Sequence, residues 1–188
     1  MQKSNIKNNR GFTLIEIMVS VSIFSVVMLM VSSAIYTVFD SNRKSQSLRA
    51  VMDNMNLSLE AMTRTIRFGK DYHCDITVVP NTTPRDCASG ADSIAVTDFS
   101  GNRVIYKKVG TRIARTINGG SDIFVTGADV NISTTTFRVL GSAPYASGSD
   151  LFQPKVIIVI DGYAGSKTSA RSNFVIETTV SQRQFDSI

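Results

Sequence analysis

Glu16 is the single charge in a 28-residue apolar run, Phe12 to Phe39. A carboxylate in hydrocarbon costs about 2.5–3.5 kcal/mol on insertion scales, and less near the interface. Such a group marks a functional position and calls for a cationic partner. No residue from Ile17 to Phe39 supplies one. Cys74 and Cys87 are the only cysteines. Two such ligands make no zinc site. Outside the cytoplasm their spacing predicts a disulfide, and closing a loop of roughly 14 residues contributes about 3 kcal/mol. His73, the only histidine, stands beside Cys74. Neighbours on a strand point to opposite faces, so a structural role is expected for it rather than a Cys–His dyad. Asp122, Asp129, Asp150 and Asp161 are scattered and match no calcium loop. No glycine-rich phosphate loop, paired-carboxylate motif or serine-nucleophile motif appears. The expectation is a protein that is not an enzyme, with no metal and no cofactor.

The elements that position these residues divide sharply. Between Phe12 and Phe68 there is no Gly and no Pro, and all seven methionines lie at or before Met62. All four prolines and eleven of the twelve glycines come later. The break near Gly69 is the clearest boundary in the chain, and nothing before it interrupts a helix. The apolar run, at about 1.5 Å per residue, reaches about 42 Å as a helix, enough to cross the ~30 Å hydrocarbon core with tilt. It is too long for a cleaved secretory signal and lacks an A-x-A ending. Beyond it, Leu48, Met52, Met55, Leu59, Met62 and Ile66 recur at 4-3-4-3-4, one apolar stripe on a helix. The stripe is too short for a coiled coil, and packing on the β-rich region that follows is expected. Strands are predicted at 93–99, 103–109, 112–117, 130–140, 155–163 and 172–180, with a hairpin turn at Ser100–Asn102 and loops at 126–130 and 141–150. No helical pattern separates the strands, which favours an antiparallel sheet. The fold class is therefore α+β: a long N-terminal helix with an apolar and an amphipathic half, packed on a C-terminal antiparallel β-sheet domain.

The formal net charge of +5 is unevenly placed. Lys3, Lys7 and Arg10 precede the apolar run, and six basic against three acidic residues occupy 40–70. Residues 71–188 hold eleven of each sign, which speaks against a nucleic-acid surface there. Positive charge before the run predicts an N-terminus in the cytoplasm and the bulk of the chain outside.

Arg10–Glu16, "RGFTLIE", resembles the class III signal of type IV pilin-like proteins: a basic leader, Gly, then Phe-Thr-Leu-Ile-Glu opening an apolar helix. The length, and "SLEAMTRTIRFG" running into a β-rich region, are similar to minor pilins related to the J-type minor pseudopilin. The resemblance implies cleavage after Gly11 by a membrane prepilin peptidase and N-methylation of the new terminal Phe12. It implies pairing of Glu16 with the terminal amine of a neighbouring subunit during assembly. The alternative partner for Glu16 is the Phe12 amine of its own chain, one turn away. Many major pilins break the apolar half with Pro or Gly; this chain has neither there, which counts against a shaft role that stretches that half.

The domains expected are 1–11 leader, 12–39 transmembrane and assembly helix, 40–69 amphipathic helix, and 70–188 extracytoplasmic β-rich domain. The partners expected are other pilin subunits, prepilin peptidase, and pilus or type II secretion machinery. The chain is expected to start as a single-pass protein of the inner (cytoplasmic) membrane and to end in an extracytoplasmic filament. The alternative is a single-pass membrane protein that displays a soluble binding domain without polymerising. A DNA-uptake adhesin at a filament tip is a third reading, opposed by the neutral charge of residues 71–188.

Overall fold

The computed structural model describes residues 11–143, 152–165 and 171–183. Leader residues 1–10 and residues 144–150 of the predicted 141–150 loop, Asp150 among them, lie outside these. Among the described residues one helix, α1 (Leu14–Phe68), is followed by nine strands: β1 (Lys70–Cys74), β2 (Cys87–Ala91), β3 (Ser93–Thr97), β4 (Arg103–Val109), β5 (Arg112–Ile117), β6 (Ile123–Phe124), β7 (Asn131–Leu140), β8 (Lys155–Ala164) and β9 (Ser172–Ser181). The fold is α+β. The chain divides into two compact units between Arg43 and Lys44.

In the first unit, the apolar half of α1 is exposed along its length. Five of its hydroxyls are turned back onto the helix. Ser22, Ser25, Ser32 and Thr37 donate to the carbonyls of Met18, Val21, Met28 and Ser33, and Ser33 donates to Met30. This removes the polar groups that hydrocarbon would penalise.

In the second unit the strands form two antiparallel sheets, ordered β1-β3-β4-β5-β6 and β2-β7-β8-β9. The antiparallel domain thus has two sheets, and the chain passes from one to the other at Asp92, between β2 and β3. Inward residues alternate along β8: Val156, Ile158, Ile160 and Ala164 are buried. On β7 a bulge between Ile132 and Thr134 rephases the alternation, so Ile132 and then Thr135, Phe137 and Val139 point inward. The turn after β3 is built by Asp98, whose carboxylate accepts from the N–H groups of Ser100 and Asn102, both at 2.8 Å.

The second half of α1 joins this core. Met55, Leu59, Met62 and Ile66 are buried in one cluster with Tyr72, Ile94 and Tyr106 of the first sheet and Phe137 and Ile158 of the second. Leu48 and Met52 flank it, half-buried. The buried face also includes Val51 and Ser58, outside the predicted stripe. Ser58 is tolerated because its hydroxyl donates to Val125 carbonyl at 2.6 Å. α1 ends where Gly69 passes β3: a Cβ there would fall on Val96 Cγ2 and lie 2.8 Å from the Thr97 carbonyl oxygen.

Candidate functional site

Gly11, Phe12 and Thr13 precede α1 and are exposed. Phe12 was expected to open the helix; α1 instead starts at Leu14, with Thr13 as its N-cap. Thr13 and Glu16 form a capping box. Thr13 N–H donates to Glu16 Oε2 at 2.9 Å, Thr13 hydroxyl donates to the same oxygen at 2.8 Å, and Glu16 N–H approaches Thr13 Oγ1 at 3.4 Å. The T-x-x-E spacing of this capping box is visible in the sequence at Thr13 and Glu16. Among the described residues Oε1 of Glu16 accepts no hydrogen bond, which leaves one oxygen for a cation. The carboxylate also sits in the first turn, where the helix dipole favours negative charge. A Cβ at Gly11 would meet none of the described atoms within 4 Å, so nothing in the described fold requires glycine there.

The second pair of candidates lies in the other unit. Cys74 ends β1 and Cys87 begins β2; a disulfide joins them with Cα atoms 5.9 Å apart. The bond therefore staples the first sheet to the second. Both sulfurs lie against Phe137 carbonyl oxygen, at 3.5 and 3.4 Å. As a disulfide sulfur, Cys74 offers no thiolate. His73 is buried and faces two loop carbonyls, Thr83 O at 2.6 Å from Nδ1 and Val78 O at 2.9 Å from Nε2. It clasps the 75–86 loop, as do Arg85, which donates to Cys74 carbonyl at 2.7 Å, and Arg103, which donates to the carbonyls of Asp71 and Asn81. In the same loop the Thr77 hydroxyl and N–H hold the Asp75 carboxyl below its usual range. Among the described residues no group of three or more His, Cys, Asp or Glu gathers to hold a metal.

A family model, "Prokaryotic N-terminal methylation motif", matches residues 6–32. The chain carries a type IV pilin-like class III signal. This prepilin signal covers Gly11, Phe12, Thr13 and Glu16 and runs into the exposed apolar half of α1. The motif supports a prepilin-type substrate, and with the apolar helix half it supports a membrane-anchored protein. They point to a structural protein rather than an enzyme. No curated protein and no solved structure matches the chain.

Proposed function

We propose that the chain is a minor subunit of a type IV pilus or pseudopilus. The observation that carries the reading is the methylation motif over residues 6–32, continuous with an apolar helix half in which five hydroxyls are bonded to helix carbonyls. Residues 1–11 are the leader, cleaved after Gly11, and Phe12 becomes the methylated N-terminus. Residues 12–39 anchor the subunit in the inner membrane and then pack among other pilin subunits. Residues 40–69 and 70–188 form the extracytoplasmic part. Glu16 keeps one oxygen on Thr13 and offers the other to the terminal amine of a neighbouring subunit. That pairing satisfies a carboxylate that hydrocarbon disfavours and sets the axial register between helices. The absence of Gly and Pro from Phe12 to Phe68 favours a minor role over a shaft that must stretch.

Intact mass of the membrane-extracted protein tests the reading. The expected mass lacks Met1–Gly11 and carries one methyl group on Phe12. An intact leader in a cell with active prepilin peptidase would instead support the single-pass anchor that does not polymerise.

A further inference from the structure

β9 is an outer strand of its sheet: it pairs with β8 from Ser172 to Ser181 and, among the described residues, with no other strand. In an antiparallel pair, alternate residues turn their N–H and C=O groups away from the partner. β9 therefore presents a row of backbone donors and acceptors along ten residues. Natural sheets blunt such edges with lysine, proline, short strands or a covering element. The other outer strands follow this rule: β6 has two residues, β2 has five, and β1 is bridged at His73 by Arg85. β9 has neither lysine nor proline; it exposes Val175, and its one charged residue, Glu177, is exposed and is not among the residues that line the groove described next. Beyond its end, Arg183 N–H donates to Arg67 carbonyl at 2.8 Å and ties the strand to the last turn of α1.

Beside the C-terminal half of β9 a groove of about 770 Å³ opens against α1. Thr178–Ser181 form one wall, and Arg64 and Arg67 the other. Arg183 lies at the mouth with its guanidinium 5.4 Å from the centre of the Phe68 ring. Among the described residues Glu60 is the one carboxylate in the lining. None of the three arginines is ion-paired among the described residues. Arg64 and Arg67 complement the helix C-terminus, but that does not account for Arg183, which comes from beyond β9. We propose that this groove takes an extended acidic segment of a partner protein, which adds as a strand to the free edge of β9. Carboxylates on alternate residues, about 6.8 Å apart on one face of the incoming strand, then meet the guanidinium groups of Arg64, Arg67 and Arg183 in charge-assisted bonds. A nucleic acid would use the arginines but not the open backbone edge, so the peptide fits both observations. The proposal goes beyond helix-mediated assembly and uses no residue before Glu60, so either can fail alone.

The test uses the full chain in detergent micelles. The probe is an end-blocked octapeptide of alternating valine and glutamate, compared with its valine–lysine counterpart, with two forms N-methylated on alternate residues, and with a short oligodeoxynucleotide. Binding is read by fluorescence anisotropy and by amide hydrogen exchange across 172–181. The glutamate peptide is expected to bind and to slow exchange in β9. The lysine peptide should bind about tenfold more weakly, the loss of one or two charge-assisted bonds. N-methylation of the ladder-forming set should abolish binding, and methylation of the other set should not. Both Arg64 and Arg67 are exposed, so the Arg64→Glu/Arg67→Glu variant should fold and should prefer the lysine peptide. Equal binding of the two peptides, unchanged exchange in β9, or indifference to both methylations would overturn the proposal. Tighter binding of the oligodeoxynucleotide that the same variant abolishes would overturn it in favour of a nucleic-acid patch.

Discussion

The capping box gives Glu16 a task within its own chain that needs a side-chain oxygen but no charge. Gln serves equally at this position of a capping box, so Glu16→Gln keeps the cap and removes the charge. Glu16→Ala removes the charge and the Glu16 side of the capping box, while Thr13 stays as the N-cap. Both variants are expected to reach the membrane, because each removes a charge from the bilayer. If the free oxygen meets a neighbour's amine, both should fall several-fold in the ratio of sheared filaments to membranes. Normal incorporation of the Gln variant with failure of the Ala variant would show that assembly needs the cap and not the charge. At Asp75 the hydrogen bonds from Thr77 favour the ionised form and lower its folded pKa. The stability it gives the 75–86 loop is therefore present above the ordinary aspartate range and lost as pH falls through the lowered value. Hydrogen exchange at the Thr77 amide should accelerate, relative to its base-corrected rate, only in that acid window.

At the scale of the element, the second half of α1 carries the link between sequence and domain. Its 4-3 spacing was legible because a helix brings positions three and four apart onto one face. Val51 and Ser58 were not legible, since their burial depends on which loop lies opposite, and Ser58 needs the Val125 carbonyl. Leu59, only 8% exposed, sits in the middle of this face. Leu59→Ala should cost about 2–5 kcal/mol, read as a lowered melting temperature of the full chain in detergent, at about 2–4 °C per kcal/mol for a chain of this size. A loss below about 0.5 kcal/mol would move that face from the core to a contact between subunits. Gly69→Ala should cost about 1–3 kcal/mol by overpacking, since its Cβ has nowhere to go between α1 and β3. β1, β2 and β6 escaped prediction for a related reason. "KDYHC", "CASGA" and "IF" are short and weakly patterned, and they become strands only because β3, β7 and β5 lie beside them.

At the scale of the whole molecule, the disulfide joins the two sheets of the antiparallel domain. Peptide mapping without reductant should link Cys74 to Cys87. The Cys74→Ser/Cys87→Ser double variant should lose about 3 kcal/mol in denaturant unfolding of the full chain. A change under about 0.5 kcal/mol would mean the core holds the sheets together without it. The sequence by itself determined the features that rest on local order. These are the uninterrupted helix, its apolar half, the prepilin signal at residues 6–32, the strands of β-branched residues and the two cysteines. Each depends on residue type and on spacings of a few positions, which the backbone converts directly into geometry. Only the tertiary structure decided that the strands divide at Asp92 into two sheets, that the cystine bridges them, and that β9 is left as an open edge beside three arginines. Those outcomes depend on which strand lies beside which. That choice is made by burying many side chains from distant parts of the chain in one core, and no short stretch of sequence carries it.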